Sequence, residues 1–208
     1  MKLWVLGSGS SGNAVLIETA RSRILIDAGF GRRVLKQRLA VAGVDPESIE
    51  AVVVTHEHTD HINGFASAAR KWGWTVVCTA GTRTMCPDWS ELRTILTPSR
   101  NSVVVGDFHI ETVPISHDAS EPIAVIVTSI DEGARAGIVY DLGHVTESVS
   151  RALDKLDMLV IESNHDEGML RAGPYPPSLQ ARIRGKYGHL SNRDAAHAAS
   201  QSIHSGLN

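Results

Sequence analysis

The apolar run Ala51-Val52-Val53-Val54 is followed, after one threonine, by His56-Glu57-His58-Thr59-Asp60-His61. β-Branched residues without polar alternation read as a strand covered on both faces. Any fold of this chain must bury that strand and still deliver three imidazoles and the Asp60 carboxylate at its end. His56 and His58 are two apart, so on an extended backbone they point the same way. Asp60 and His61 follow where the chain can turn into a helix and approach from another side. One short loop could therefore serve two metal ions. The plainer alternative is a polar loop whose histidines only cap a strand. With 10 His in 208 residues, three of them plus an aspartate within six positions speak against it.

A chain of 208 residues fits one domain, spanning 1–208, and buries roughly 70% of its unfolded surface. The hydrophobic share of 42% and charged share of 21% are those of an ordinary globular protein. A formal net charge of −3 provides no global field toward nucleic acid or anionic membrane. Local clusters remain, Arg32, Arg33, Lys36 and Arg38, and Arg182, Arg184 and Lys186; both read best as solvated helix faces. The N-terminal apolar run Leu3–Leu6 is shorter than a signal-peptide core, and no stretch reaches the ~18 apolar residues of a membrane span. Cys78 and Cys86 form neither a CxxC pair nor a disulfide framework. The expected compartment is the cytoplasm.

Strands are expected at Leu3–Leu6, Ala14–Glu18, Ile24–Asp27, Val52–Val54 and Thr75–Thr79. A hairpin over Gly106-Asp107 joins Val103–Val105 to Phe108–Ile115, and the turn Asp131-Glu132-Gly133 joins Ile123–Ser129 to Arg135–Asp141. Met158–Glu162 reads as a buried strand. Helices are expected at positions 34–42, at Phe65–Trp72 and Val145–Leu156, from Pro176-Pro177 through Arg184, and at Asn192–Ile203. Strands, a helix, strands again and then helices imply an α+β fold with two sheets face to face and helices outside. That layering gathers strand-end loops along one edge.

Further candidate ligands close strands: Asp27, His117 and Asp141, with His189 in Gly188-His189-Leu190-Ser191 before a helix. Each alone has a dull explanation as a turn cap or a solvated loop residue. Their shared placement is what makes them a set. The loop Gly7–Gly12 lacks the GxxxxGK[ST] pattern and leads into a strand. It reads equally as a tight hairpin using glycine at positive φ or as backbone N–H groups facing a phosphate. His144 and His165 are further site candidates, whereas His109, His197 and His204 carry no assigned chemistry.

In this order, Asp27, the 56–61 cluster, His117, Asp141 and His189, the chain resembles the metallo-β-lactamase superfamily of binuclear metal hydrolases. Finer segments are similar to the YycJ/WalJ-like group, regarded as DNA exonucleases: Leu6-Gly7-Ser8-Gly9-Ser10-Ser11-Gly12-Asn13-Ala14, Asp141-Leu142-Gly143-His144-Val145-Thr146, Glu162-Ser163-Asn164-His165-Asp166 and Gly188-His189-Leu190-Ser191-Asn192. The resemblance implies a four-layer αββα sandwich. It also implies one metal held by His56, His58 and His117 and a second by Asp60, His61 and His189, with Asp141 bridging. Asp27 would orient the histidine loop without binding metal, and His144 would stand behind the ligands. Zinc suits such donors best, with manganese the second candidate.

Two such ions about 3.5–4 Å apart share a water and lower its pKa toward 7, which gives a bridging hydroxide nucleophile. Asp60, Asp141 and His165 are the catalytic candidates, His165 contacting the scissile phosphate or protonating the leaving group. The 48 positions from Asp141 to His189 leave no room for a large inserted cap, and the Gly-His-Leu-Ser setting resembles nuclease branches. The expected activity is a phosphodiesterase acting on DNA. The alternatives are a small-molecule hydrolase (β-lactamase or lactonase) and a non-catalytic module that keeps the fold. In the resembling group the chain continues past Gly-His-Leu-Ser with further strand and helix, whereas this sequence stops at Asn208. That departure predicts a sandwich shortened at its C-terminal end, its open sheet edge covered by a second subunit in a homodimer.

Overall fold

In the computed structural model, which describes residues 1–202, the alternation of apolar side chains along each strand decides the layering. Ala51 and Val53 face one core and Val52 and Val54 the opposite one, as a period of two requires. The first sheet runs β1 (Lys2–Gly7), β2 (Ala14–Glu18), β3 (Arg23–Ile26), β4 (Ala51–Val53), β5 (Thr75–Cys78) and β6 (Thr94–Leu96) in that spatial order. Its first two pairings are antiparallel and the rest parallel. The second sheet has the order β11 (Met158–Ile161), β10 (Arg135–Val139), β9 (Ile123–Ser129), β8 (Phe108–Pro114) and β7 (Ser102–Val105). Only its β10–β11 pairing is parallel.

Between the sheets, Val15, Ile17, Ile24, Ile26 and Val53 meet Phe108, Ile110, Val125, Val127 and Ile138 in one buried cluster. The outer face of the first sheet, through Leu16, Leu25, Val52 and Val76, packs on α1 (Arg32–Val41) by Leu35 and Leu39. The same face packs on α3 (Phe65–Trp72), which follows the single turn α2 (Thr59–Ile62), by Phe65 and Ala68. The outer face of the second sheet, through Ala124, Ile126 and Val139, packs on α5 (Glu147–Ala152) and α8 (Asn192–Ser202) by Val149 and Ala198. The order helix, sheet, sheet, helix is the expected αββα sandwich. The short helices α4 (Ala80–Met85), α6 (Glu167–Ala172) and α7 (Pro177–Ile183) and two 3-10 turns, Pro46–Ser48 and Pro87–Trp89, complete the described chain.

Several boundaries differ from those the sequence suggests, each for a local reason. β3 and β10 stop at Ile26 and Val139 because Asp27 and Asp141 turn to positive φ, 58° and 54°. Thr79 leaves β5 to cap α4, its hydroxyl accepting from the Thr82 N–H. The expected helix from Val145 begins only after Thr146, whose hydroxyl caps it at Val149, and it ends early. β11 is half-buried because it lies at the edge of its sheet, not covered on both faces as its apolar run suggests. α4, β6 and α6 lack a strong apolar period and are absent from the sequence reading. The 106–107 hairpin is as expected, with Gly106 at φ 53°. Ile203 and His204, placed by the sequence at the end of a helix and among histidines without assigned chemistry, lie outside the described residues.

Candidate metal centre

β3 and β4 run parallel, so their carboxyl ends bring Asp27 and the Thr55–His61 loop to the same rim. β8 and β10 are both antiparallel to β9, and β11 is parallel to β10. Their ends therefore bring His117, Asp141 and Glu162 to the facing rim. His189 arrives on the loop between α7 and α8. Three donor sets converge here, each with ligand atoms within 4.8 Å of one another: His56, His58 and His117; His56, His61 and Asp141; and Asp141, Glu162 and His189. A cavity of about 360 Å³ opens above them, lined by His58, Thr59, Asp60, His61, His117, Asp118, Asp141, Arg182 and His189.

The backbone around Asp60 is fixed by close approaches. The Asp60 carbonyl accepts from Asn13 N–H at 2.8 Å, that of His61 accepts from Ala28 N–H at 2.8 Å, and that of Asn13 accepts from Gly29 N–H at 2.9 Å. Gly29 lies so near that a Cβ there would fall 1.6 Å from the Asp60 carbonyl oxygen. The Asn13 side-chain amide reaches Asp60 Oδ2 at 3.2 Å and His61 Nε2 at 3.1 Å. The glycine loop thus ends on the site through Asn13. Its Gly9 and Gly12 adopt φ 96° and 144°, as the hairpin reading requires.

Three of the imidazoles, those of His56, His61 and His117, are oriented from behind. The fully buried Asp27 accepts from His61 Nδ1 at 2.7 Å, Thr55 N–H at 2.8 Å, Thr55 Oγ1 at 2.7 Å and Tyr140 OH at 2.8 Å. His56 Nδ1 contacts Thr55 Oγ1 at 3.0 Å, and His117 Nδ1 the Gly188 carbonyl at 3.3 Å. These bonds turn Nε2 of His56, His61 and His117 toward the centre. His56 Nε2 and His117 Nε2 both stand 3.2 Å from His58 Nδ1. Asp141 Oδ2 is 2.7 Å from His61 Nε2 and 3.9 Å from His56 Nε2, while its Oδ1 is 3.3 Å from His189 Nδ1. Asp60 Oδ2 is 3.5 Å from His61 Nε2.

The charges show what the site wants. Burial keeps His56 and His117 below the ordinary imidazole range, so their lone pairs converge without protons to share. Burial alone would depress His61, but Asp27 and Asp141 outweigh it and push it up to about 12. Hydrogen bonds to Asp141 and then Glu162 push His189 up to about 10. Asp141 is lowered against its burial by its bonds to His189 and His61. Facing imidazole lone pairs and carboxylates that retain protons on their neighbours form a donor set that fits divalent cations, which would replace those protons.

The structure thus brings together His56, His58, Asp60, His61, His117, Asp141 and His189, with Asp27 behind them. It does not place His144 or His165 on the cavity wall. His144 Nδ1 contacts the Lys186 carbonyl at 3.3 Å. His165 forms a bridge to Ser191 beside His189, and its Nδ1 is buried without a hydrogen-bond partner.

Residues that sequence reasoning passed over are Glu162, Asp118, Arg182, Tyr140, Thr55 and Asn13. Glu162 accepts from His189 Nδ1 at 2.6 Å and from the N–H groups of Leu142 and Leu190 at 3.1 and 3.2 Å. Its place at the end of an apolar strand, like that of Asp27, was the available signal. Asp118 and Tyr140 stand directly beside expected ligands.

The Beta-lactamase superfamily domain family matches residues 22–204. Exodeoxyribonuclease WalJ of Streptococcus pneumoniae serotype 2 (strain D39 / NCTC 7466) is 33% identical over 203 residues, 95% of this chain and 75% of that protein. Exodeoxyribonuclease YycJ of Bacillus anthracis is 31% identical over 209 aligned residues, 96% and 76% of the two chains. Among solved structures, Zn(2+)-bound PqqB from Methylobacterium extorquens superposes with TM-score 0.73 at 15% identity, covering 93% of this chain and 74% of that one. Human tRNase Z, short form, gives TM-score 0.72 at 18% identity over 97% and 88%. The extent of the family match and the identity to WalJ and YycJ over nearly its whole length place this chain in the metallo-β-lactamase superfamily, among hydrolases of the WalJ/YycJ type.

Proposed function

We propose that this chain is a metal-dependent phosphodiesterase that degrades DNA from an end, using two divalent cations, zinc in first place and manganese in second. The observation that supports the reading is that imidazoles from both rims meet at Asp141: His56, which shares a donor set with His58 and His117, His61, which has Asp60 at 3.5 Å, and His189. Likeness to two proteins named exodeoxyribonucleases supports DNA as the substrate.

When bound, a pair of divalent cations supplies an acidified water and positive charge for the phosphoryl oxygens. His56, His58 and His117 would hold one and Asp60, His61 and His189 the other, with Asp141 between them. The chain's own residues do the positioning. Asp27 holds the His61 ring with Nε2 toward Asp141, and Glu162 anchors the His189 ring through Nδ1, the nitrogen that also lies 3.3 Å from Asp141 Oδ1. Asn13 steadies the Asp60 carboxylate. His165, beside His189 although not on the cavity wall, is kept neutral by burial, and its proposed role is to hydrogen-bond the scissile phosphate or the departing oxygen. If His165→Ala turns over a phosphodiester as fast as the parent at every pH, that role is wrong.

No described helix is long and apolar enough to cross a membrane. With DNA as substrate, the cytoplasm is the compartment we assign, and a second copy is the partner we assign to the β11 edge. Sedimentation of a monomer at high concentration would remove the dimer.

The deciding assay compares linear DNA, bis-p-nitrophenyl phosphate and nitrocefin. We expect turnover of the first two, abolished by chelator and restored by zinc or manganese. Turnover of nitrocefin alone would overturn the reading in favour of a lactam hydrolase.

A further inference from the structure

We propose that Arg182, held at the mouth of the metal cavity by Asp118, grips the DNA phosphate next to the scissile one; this rests on the phosphodiesterase reading above. Arg182 lies in the last turn of α7, a helix with no fully buried residue. Its Nε and Nη2 donate to Asp118 Oδ2 at 3.0 and 2.6 Å. The other oxygen of the same carboxylate stands 3.4 Å from His117 Nε2 and 3.9 Å from His58 Nε2. One aspartate therefore ties the guanidinium to the histidines of the metal centre.

The pair is not there for the fold. The Arg182 side chain is 66% exposed and that of Asp118 35%, and ion pairs so exposed contribute little to stability. What the pair does is restrict a long side chain to one place. Two of the five guanidinium N–H groups are used, and the other three have no protein acceptor among the described residues. A rigid fork with free donors matches a phosphate better than a point charge does.

The surroundings give the anion its position. The cavity wall carries the carboxylates of Asp60, Asp118 and Asp141, and among its described residues Arg182 is the only lysine or arginine. Apart from the cations proposed above, it is the positive charge that this wall offers a polyanion. Arg182 also borders a second cleft of about 100 Å³, whose wall includes Leu179, Ile183 and Tyr187. The cavity and the cleft share Asp118, Arg182 and His189, so the cation stands at the border between the metal centre and an apolar wall with a half-exposed aromatic ring. Phosphate and nucleoside adjoin in the same way along a nucleic acid. Of the basic cluster 182–186, expected on one solvated helix face, only Arg182 lies within α7 and lines the cavity; Arg184 is the C-cap and Lys186 lies beyond the helix, both exposed.

The test uses the metal-loaded enzyme on short single-stranded DNA, either unmodified or with one phosphate neighbouring the scissile bond replaced by a neutral methylphosphonate, on each side in turn. At one of the two positions the replacement should raise KM of the parent enzyme about tenfold, as the loss of a charged hydrogen bond implies. Arg182→Ala should raise KM on unmodified DNA by about the same factor, with a much smaller change in kcat, and should then be indifferent to the methylphosphonate. Arg182→Lys should recover part of the loss. A variant that suffers from the methylphosphonate as much as the parent does, or that loses only kcat, overturns the assignment. A parent enzyme that cleaves no DNA is a different result: it refutes the phosphodiesterase reading, and the assignment falls with it. Because the side chain is exposed, the thermal midpoint of Arg182→Ala serves as the control for folding.

Discussion

The Tyr140 hydroxyl donates to the Asp27 carboxylate at 2.8 Å, joining the end of β10 in one sheet to the end of β3 in the other directly behind His61. Burial, reinforced by Asp27, keeps the phenol protonated and therefore a donor. Asp27 itself sits at φ 58°, a region that costs a non-glycine residue on the order of 1–3 kcal/mol unless its neighbours enforce it. Here the enforcement comes from four donors on one carboxylate.

Two variants separate the parts of that network. Tyr140→Phe removes one donor of a charge-assisted bond and should lower unfolding stability by about 1.5–3 kcal/mol in urea, while metal stoichiometry stays at the parent value. Asp27→Ala frees the His61 ring and should lower metal affinity or activity by about 10–100-fold. Equal metal loss in both variants would show that Tyr140 acts on the ligands and not on the inter-sheet join.

Gly29→Ala should damage the site without touching a ligand. The added Cβ would stand 1.6 Å from the Asp60 carbonyl oxygen, so the 28–29 segment and the Asp60-His61 backbone must part. We expect a loss of about 1–3 kcal/mol or more, accompanied by reduced metal content. Gly31 is the control, since nothing lies within 4 Å of its missing Cβ; Gly31→Ala should leave the thermal midpoint and metal content close to the parent's. Matching melts for the two variants would remove the close approach as the cause.

The sandwich was legible because its apolar runs carry the sheet period: Val52 and Val53 could not both be buried unless each face of β4 met a core. The ligand loops were legible because imidazoles and carboxylates closed those runs. What stayed hidden was any relation that only the third dimension creates. Glu162 and His189 are 27 positions apart and Asp118 and Arg182 are 64 apart, and no periodicity links either pair. α4 and β6 escaped because Thr79 capping and the short half-buried strand Thr94–Leu96 leave almost no apolar pattern. The basic cluster 182–186 was read as one solvated face since charge alone does not reveal which exposed member pairs with Asp118 at the cavity mouth.

The buried thiols give a pH dependence independent of the metal centre. Burial pushes Cys78 up to about 12 and Cys86 up to about 11, whereas an unfolded chain ionises its cysteines near about 8.5. Raised folded values mean that the stabilisation is complete below the unfolded value and is lost as pH climbs toward the folded ones. Urea stability should therefore fall between about pH 8.5 and 11 by up to about 1.4 kcal/mol per pH unit for each thiol. Cys78→Val should flatten that slope relative to the parent. Thiolate absorbance appearing in the native protein by about pH 9 would contradict it.

Glu162→Gln tests whether the carboxylate behind His189 positions a ligand. One oxygen accepts from His189 Nδ1 at 2.6 Å and the other from two backbone N–H groups, of Leu142 and Leu190. An amide of the same shape can satisfy only one of those sides, because its NH₂ must face either the imidazole N–H or the two peptide N–H groups. Either choice sets donor against donor and lets the His189 ring turn. Partners of this kind typically contribute 10–100-fold to metal affinity or activity, and we expect a loss in that range. If two cations bind as proposed, the one assigned to His189 should leave at lower chelator concentration than in the parent, while the one assigned to His56, His58 and His117 should not. Glu162→Asp, which retains the charge but shortens the reach, should fall between the two. If chelator removes metal from Glu162→Gln at the parent's concentration and kcat is unchanged, the carboxylate is holding the backbone of the Leu142 and Leu190 loops and not the histidine.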